Sequence, residues 1–454
     1  MHSEGTGAPT RHVIAWDDPS YTDPAALDAE ERRQFDVCHG CRRCFNLCDS
    51  FPRLFDLIDA AKSGELDTVE SKDFEPVVDA CTLCDMCFMT KCPYVPPHAF
   101  NIDFPHLMLR HRVMEERQGK VTFAQREIRK TDRNGALASH MAGLANWASS
   151  VTNTLGRSVL SAAANIHPRA WLPDFVPAKD VLTTRAAREP LPVTPAAQGT
   201  KTQRKVVLYA TCAGNFNKPE IGLATRAVLA RNGIETVVVH PGCCGMPQLE
   251  IGDLAAVATS ARKVAADLIA WVDKGYDIVA LTPSCALMLK FEWPLIVPKD
   301  ANVARLAKAT RDVSEYIVEV AKKDGLAGTL APMPEPVALH IACHSRAQNM
   351  GAKAADMLRL IPEANVTIIE RCSGHGGAWG AEKPNFEVAL KVGKPVFRRV
   401  LDLKPAHVSS ECPLAGDHIV QGARELEPGA DIKESVHPIL LFARAYGIEV
   451  GVSK

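Results

Sequence analysis

Two cysteine motifs decide the fold of the first part of the chain: CHGCRRCFNLC at residues 38–48 and CTLCDMCFMTKCP at residues 81–93. Each has the spacing C-x2-C-x2-C followed by a fourth cysteine. That spacing allows three thiolates to bind one cubane cluster while the fourth binds its neighbour. The motifs therefore predict two 4Fe–4S clusters with exchanged ligands. The expected ligands are Cys38, Cys41, Cys44 and Cys92 for one cluster, and Cys81, Cys84, Cys87 and Cys48 for the other.

Zinc is the alternative cofactor for clustered cysteines. A structural zinc site uses four thiolates, usually from C-x2-C pairs, so it does not explain the third cysteine of each motif. The iron–sulfur interpretation is therefore favoured. Between the motifs, apolar residues recur at helical spacing, at Leu54, Leu57, Ile58 and Ala61. This pattern predicts a helical, ferredoxin-type domain for two clusters over residues 31–106.

The composition limits the class of protein. The chain has 454 residues, 15 cysteines and a formal net charge of −1. This neutral balance argues against a nucleic-acid partner, because nucleic-acid-binding domains are usually strongly basic. The first residues lack the apolar run of a secretory signal, and no segment is long and apolar enough to span a bilayer. We therefore expect a cytoplasmic protein whose cysteines bind metal rather than forming disulfides. Residues 1–30 are polar and predict a loose N-terminal arm.

The other seven cysteines lie in an internal repeat, over residues 206–330 and 337–454. Each copy contains three apolar runs of strand length that end in cysteine, with helical patterns between them. The matching segments are VVLYATC and VALHIAC, TVVVHPGCCG and VTIIERCSGH, and DIVALTPSC and AHVSSEC. Alternating strands and helices predict parallel α/β layers. The fold class is therefore α+β multidomain, with a helical two-cluster ferredoxin domain followed by a duplicated α/β cysteine-rich domain.

The first copy is expected to hold a third metal centre. Cysteines at the carboxyl ends of parallel strands meet at one edge of a sheet, and the vicinal pair of the PGCCG turn is poorly placed for a disulfide. The candidate ligands are Cys212, Cys243, Cys244 and Cys285. The second copy offers Cys343, Cys372 and Cys412, with Ser373 after Cys372. A closed metal site there needs a fourth ligand, and histidines lie near these cysteines.

Taken together, these motifs resemble a family of iron–sulfur subunits. It contains the D subunit of heterodisulfide reductase, the C subunit of anaerobic glycerol-3-phosphate dehydrogenase and the iron–sulfur subunit of glycolate oxidase. Besides the two ferredoxin motifs, the matching segments are HPGCCGMP, TPSCALMLKFEWP, ACHSRAQNMG, RCSGHGGAWG and ECPLAGDHI, the last three looking most like the glycerol-3-phosphate dehydrogenase branch. The resemblance implies a protein that passes electrons between a flavoprotein dehydrogenase and a quinone or another acceptor, often at the membrane surface.

The resemblance also implies what the third centre could be. Repeats of the heterodisulfide reductase branch use C…CC…C-x2-C to hold non-cubane 4Fe–4S clusters. Here Met288 stands at the final cysteine position, so one thiolate of that pattern is missing. The expected cofactor of the third centre is therefore either an iron–sulfur cluster of the non-cubane type or zinc. The alternative function is a heterodisulfide or thiol–disulfide reductase, with catalysis at Cys243 and Cys244. Met288 and Ser373 argue against this enzyme and favour electron transfer.

Residues 107–205 contain no cysteine and predict a helical, proline-containing connector. Residues 107–133 are basic, and residues 134–156 carry no formal charge. An apolar helical stripe runs through the uncharged part, formed by Leu137, Met141, Leu144, Ala148, Val151 and Leu155. We expect this stripe to pack on the ferredoxin core or on a partner protein, in preference to peripheral contact with the cytoplasmic face of the inner membrane.

Overall fold

The computed structural model describes residues 9–193 and 203–451. Its N-terminal part is helical, as the spacing of apolar residues predicts, and Leu54 and Ile58 are fully buried. Asp23 begins the first long helix by accepting a hydrogen bond from the Ala26 backbone amide. The helices are α1 (Pro24–Cys41), α2 (Ser50–Asp59), α3 (Glu75–Asp79) and α4 (Phe104–Arg117), with 3-10 turns at Pro19–Thr22, Leu66–Thr68 and Ser71–Phe74 and a π-helical turn at Cys87–Lys91.

The connector is a chain of short helices. They are α5 (Phe123–Ile128), α6 (Thr131–His140), α7 (Ala142–Ser149), α8 (Thr154–Ala164) and α9 (Leu182–Arg188), with a 3-10 turn at Ala178–Asp180. The apolar stripe does not pack on the ferredoxin core. Most of it is open, and Leu137 is 63% and Leu155 is 72% exposed. The expectation of packing on the core is therefore wrong, because helical periodicity marks an apolar face without showing what covers it.

The first repeat is a parallel sheet with the strand order β2-β1-β3-β4. Its strands are β-branched and apolar, and β1 is buried from Val206 to Tyr209, as expected for a sheet covered on both faces. The strands are β1 (Lys205–Tyr209), β2 (Glu235–Val239), β3 (Tyr276–Ala280) and β4 (Thr310–Asp312). The helices are α10 (Cys212–Phe216), α11 (Pro219–Arg231), α12 (Met246–Leu249), α13 (Leu254–Val272), α14 (Pro283–Leu287), α15 (Trp293–Ile296), α16 (Ala301–Ala309) and α17 (Val313–Lys323), with a π-helical turn at Met288–Glu292.

The second repeat has a parallel sheet of order β6-β5-β7, which matches the β2-β1-β3 part of the first. The strands are β5 (Val337–His340), β6 (Val366–Ile369) and β7 (His407–Ser410). The helices are α18 (Cys343–Ala347), α19 (Lys353–Leu358), α20 (Phe386–Leu403), α21 (Pro413–Leu426) and α22 (Pro438–Ala445), with a 3-10 turn at Trp379–Ala381. Two parallel sheets beside a helical region confirm the predicted fold class.

The three regions pack against one another. One apolar core joins the ferredoxin region to one face of the first repeat, and another joins the two repeats through residues such as Leu208, Leu339 and Phe442. The N-terminal segment is not loose where the structure describes it. The Ile14 amide donates to the Leu295 carbonyl, and the Trp16 indole donates to the Ile296 carbonyl. Polar composition did not reveal this anchoring.

One buried arginine ties the N-terminal segment to both neighbouring regions. The Arg11 guanidinium lies 2.6 Å from Asp85, 3.1 Å from Asp103 and 3.1 Å from Glu292. Asp85 belongs to the second cysteine motif, and Glu292 belongs to the first repeat. Arg11 also lies over the ring of Phe88, 4.3 Å from its centroid. A guanidinium can satisfy several carboxylates because its donors form a planar fork, so this side chain fixes the second motif against the first repeat.

Candidate metal centres

The first thiol group consists of Cys38, Cys41, Cys44 and Cys92. Burial raises the pKa of Cys38 well above its ordinary value, and the charges of Cys92, Cys44 and Cys41 raise it further. The same neighbours influence Cys44, whose pKa rises to about 12 through burial and then through Cys92 and Cys41. The structure thus brings Cys92 of the second motif to three cysteines of the first.

The second thiol group consists of Cys48, Cys81, Cys84 and Cys87. Burial raises the pKa of Cys48, and Cys84 and Cys81 add to the shift. Cys48 therefore lies with the second motif rather than with its own. Burial also raises the pKa of Cys87 well above its ordinary value, and its charged neighbours include Cys44 of the first thiol group. The two thiol groups are adjacent.

These groupings provide a test of whether the residues fit iron–sulfur clusters. All 15 cysteines are free thiols. Grouped thiolates in a buried site repel one another, so they need cations to be stable in ionised form. Metal binding supplies that charge and releases the thiol protons. Two groups of four soft sulfur donors fit two 4Fe–4S clusters. The donor sets also match the exchanged ligand pattern expected from the spacing.

The third thiol group consists of Cys212, Cys243, Cys244 and Cys285. Hydrogen bonds link Cys212 to Cys243, Cys243 to Cys244 and Cys244 to Cys285. Cys212 is the first residue of α10, and Cys285 lies in α14, each a short helix that follows a strand. The turn that carries the vicinal pair needs Gly245, whose φ of +85° is costly for other residues. The sheet therefore gathers all four sulfur atoms at its carboxyl edge.

Three further residues of this site were not found by sequence reasoning. Asp132 Oδ1 lies 2.9 Å from Cys212 Sγ and 2.8 Å from His240 Nε2. The Thr131 hydroxyl lies 3.3 Å from Cys212 Sγ and 3.4 Å from Cys243 Sγ. Burial opposes ionisation of Asp132, but His240 and the Cys212 and Cys243 hydrogen bonds hold its pKa below the ordinary value. Only His240, three residues before Cys243, offered a sequence signal.

The cysteines of the second repeat do not form one group. Cys343 and Cys372 are hydrogen-bonded to each other, and Cys343 is also hydrogen-bonded to Cys84 of the second thiol group. Cys412 is placed differently, since its charged neighbours are Asp417 and Cys285. Cys343 and Cys372 alone are too few for a closed metal site of their own.

His344 joins the ferredoxin region to both repeats. Its Nδ1 lies 2.8 Å from the Ser284 hydroxyl, next to Cys285, and its Nε2 lies 3.4 Å from the Leu83 carbonyl oxygen, next to Cys84. Met288, which stands at the position of the family's last cysteine, is fully buried in the apolar core. Its thioether takes the place of a thiolate there, and Ser373 is also buried.

Comparison with known proteins agrees with the cysteine pattern. Residues 206–290 match the CCG cysteine-rich domain. The chain is 26% identical over 324 residues to the C subunit of anaerobic glycerol-3-phosphate dehydrogenase from Escherichia coli (strain K12), covering 69% of this chain and 75% of the relative. It is 27% identical over 236 residues to the B subunit of fumarate reductase (CoM/CoB) from Methanothermobacter marburgensis, covering 50% of this chain and 44% of the relative.

A third relative is lactate utilization protein A of Geobacillus kaustophilus, 28% identical over 217 residues, which cover 45% of this chain and 82% of that protein. The resemblance drawn from the motifs is thereby confirmed. The chain carries a CCG cysteine-rich domain and is homologous to iron–sulfur subunits of dehydrogenase and reductase complexes. Among its described residues, no helix combines the length and the apolar character needed to cross a membrane.

Proposed function

We propose that this chain is the electron-transfer subunit of a flavin-dependent dehydrogenase or a related redox complex. It holds one 4Fe–4S cluster at the first thiol group, another at the second, and a further centre at the third. The observation that carries the proposal is the position of the second thiol group, which touches the first group on one side and the repeats on the other. When bound, such clusters supply one-electron transfer.

The chain's own residues make the path continuous. Cys87 lies near Cys44, which brings the first two thiol groups together. On the other side, His344 connects the backbone at Leu83 to Ser284. This bridge runs from the residue before Cys84 to the residue before Cys285. It gives electrons a short connection between the second and third thiol groups.

The first thiol group faces the surface and marks the side at which electrons enter. Phe45, which follows Cys44 of this group, is 52% exposed, and Arg42 and Arg43 beside it are also exposed. In contrast, Phe88 and Met86 beside the second thiol group are buried and exclude water. An exposed aromatic ring with neighbouring arginines is typical of a protein interface. We assign this face to a flavoprotein partner.

The opposite end of the path carries an apolar ridge on α6, α7 and α8. Its side chains are each more than half exposed: Leu137, Met141, Leu144, Trp147, Val151, Leu155 and Val159. An apolar patch of this extent marks an interaction surface. Helix α6 begins at Thr131 and Asp132, which contact the third thiol group. The ridge therefore begins beside the centre from which electrons would leave.

We assign the ridge to an anionic membrane surface, where a quinone acceptor would be reached. The uncharged stretch 134–156 contributes no acidic group that anionic lipid would repel, and exposed Lys130 and Arg133, which share the single carboxylate of Glu127, lie at its start. Trp147 supplies an amphipathic ring of the kind found at membrane interfaces. Basic groups at the start of an apolar helical face suit peripheral attachment.

Iron counting after anaerobic reconstitution tests the cluster assignment. Each 4Fe–4S cluster carries four irons, so Cys38→Ser combined with Cys92→Ser should remove about four irons, since both belong to one thiol group. Cys38→Ser combined with Cys48→Ser should remove about eight, although both lie in one motif. Electron paramagnetic resonance of the reduced variants should show the signal of one of these two 4Fe–4S clusters in the first variant and of neither in the second. The reverse pattern would show that each motif binds its own cluster.

Vesicle flotation tests the membrane assignment. The wild-type chain should float with phosphatidylglycerol vesicles and remain below with phosphatidylcholine vesicles. Replacing Leu144 and Trp147 by Ser should abolish flotation without changing iron content. Leu426→Ser, at an exposed apolar residue of the second repeat, is the matched control. Loss of a co-purified flavoprotein in the ridge variant, with no vesicle binding by the wild type, would assign the ridge to the partner protein instead.

A further inference from the structure

Three donor atoms of different chemistry meet at the edge of the third thiol group. Asp132 Oδ1, His240 Nε2 and Cys212 Sγ all lie within 4.8 Å of one another. They come from the first turn of α6, from the end of β2 and from the start of α10. Residues 132 and 212 are 80 positions apart, so this meeting is a product of the fold.

The three donors suit a transition metal. Thiolate, imidazole and carboxylate are the three side-chain ligand types of zinc, and imidazole and thiolate also bind iron. The sulfur atom of Cys243 is a fourth donor close to these three, because the Thr131 hydroxyl contacts the sulfur atoms of both Cys212 and Cys243. Two thiolates, one imidazole and one carboxylate make the four ligands that a closed site requires.

The residue at position 288 explains why this site would use donors other than cysteine. The related pattern ends in a fifth cysteine, but Met288 is buried in the apolar core and provides no thiolate. The connector compensates by bringing the carboxylate of Asp132 within 2.9 Å of Cys212 Sγ. His240 then holds this carboxylate through a 2.8 Å hydrogen bond.

We propose that Asp132 and His240 are ligands of the third centre, together with Cys212 and Cys243. This inference rests on the proposed function, because it assumes that the third thiol group binds iron or zinc. It makes the connector part of the metal site rather than a spacer. Where the metal is iron, histidine ligation raises the reduction potential above that of an all-cysteine centre, which suits the last centre of a path.

Metal analysis of the anaerobically purified full chain tests the assignment. Two 4Fe–4S clusters contain about eight irons. The wild type should contain iron or zinc in addition to these. Asp132→Ala and His240→Ala should each lose that additional metal while retaining those irons and their paramagnetic signals, which also shows that the variants fold. The matched controls are Asp267→Ala on the exposed face of α13 and His140→Ala at the end of α6, both exposed. The controls should retain all metal.

The outcomes separate the two proposals. If the wild type holds no metal beyond the two clusters, the third centre itself is wrong. If additional metal is present and remains in both variants, the third centre stands and the role of Asp132 and His240 is wrong.

X-ray absorption at the edge of the additional metal gives a second readout. For zinc, the wild type should show nitrogen and oxygen scatterers together with sulfur, and His240→Ala should lose the imidazole signature. For iron, nitrogen couplings from ¹⁵N-labelled histidine should appear in pulsed paramagnetic resonance and disappear in His240→Ala. An all-sulfur environment in the wild type would overturn the proposal.

Discussion

The two repeats have the same sheet but use it differently. Strands β2-β1-β3 and β6-β5-β7 have the same order and the same parallel direction. In the first repeat the strand ends gather four linked cysteines beside Asp132 and His240. In the second repeat Cys343 instead contacts Cys84 of the ferredoxin region, and Cys372 contacts Cys343. The same scaffold can therefore hold a centre in one copy and form a docking contact in the other.

The repeats also differ in how they attach to the ferredoxin region. The first is joined through buried charges, with Arg11 between Asp85 and Glu292. The second is joined through neutral contacts, including a hydrogen bond of 2.8 Å from the Trp379 indole to the Asp79 carbonyl oxygen. Buried ion pairs are costly to break, because removing one partner leaves an uncompensated charge. The comparison thus predicts unequal responses to substitution and to pH.

The largest expected difference concerns metal binding. Cys243→Ser should remove all metal beyond that of the two 4Fe–4S clusters, because Cys243 is a proposed ligand of the third centre and is hydrogen-bonded to Cys212 and Cys244. Cys372→Ser should leave the metal content unchanged, since its repeat presents only two adjoining thiols. Elemental analysis of anaerobic preparations measures both. Loss of metal in Cys372→Ser would show that the second repeat holds a centre and would remove the distinction.

The next difference concerns stability. Arg11→Ala should lower the free energy of unfolding by about 3–5 kcal/mol, because three carboxylates lose their common cation. Trp379→Phe, which removes one hydrogen bond from the second attachment, should cost about 1 kcal/mol. Anaerobic denaturant titrations followed by circular dichroism measure both values. Equal losses would contradict the distinction between charged and neutral attachment.

A smaller difference should appear in mildly acidic solution. Burial lowers the pKa of His340 and His418 to about 4 and that of His437 to about 3. All three belong to the second repeat. Unfolded histidine binds a proton near pH 6.5, so between pH 6.5 and 4 the unfolded state binds more protons than the folded state. Stability therefore falls as the pH falls through this range.

The size of this effect can be measured by substitution. At pH 5.5 each buried histidine should cost on the order of 1 kcal/mol relative to pH 7.5. The difference in unfolding free energy between these two pH values should therefore shrink by that amount in His418→Gln. His140→Gln, at an exposed histidine, should behave like the wild type. A pH dependence that is identical in His418→Gln and the wild type would show that this imidazole titrates alike in the folded and unfolded states.

The sequence predicted the features that depend on local patterns. Helical spacing around Leu54 and Ile58 predicted a helical ferredoxin region, and apolar runs ending in cysteine predicted two parallel sheets. The same patterns did not predict the contacts of Arg11 or Asp132. Arg11 and Glu292 are 281 positions apart, and Asp132 and His240 are 108 apart. No spacing rule connects residues that only the tertiary fold brings together.

Two expectations, one about the N-terminal segment and one about the ferredoxin core as cover for the connector, were wrong for the same reason. The N-terminal segment was expected to be loose because it is polar, but buried carboxylates from other regions hold Arg11. The connector stripe was expected to pack on the ferredoxin core or on a partner protein, and the exposure of Leu137 and Leu155 excludes the first of these. Composition describes what a segment could contact. It does not show which surfaces elsewhere in the chain are available to meet it.

The smallest expected effect comes from making the second repeat more like the first. Ser373→Cys restores the vicinal pair of cysteines. The second repeat still lacks the histidine, because Ile369 stands three residues before Cys372, whereas His240 stands three residues before Cys243 in the first repeat. If a centre needs the non-cysteine donors, metal content should not change, and stability should shift by less than about 0.5 kcal/mol. Elemental analysis and thermal unfolding measure both, with Ser373→Ala as the control. Additional metal in Ser373→Cys would show that thiol count alone separates the two repeats.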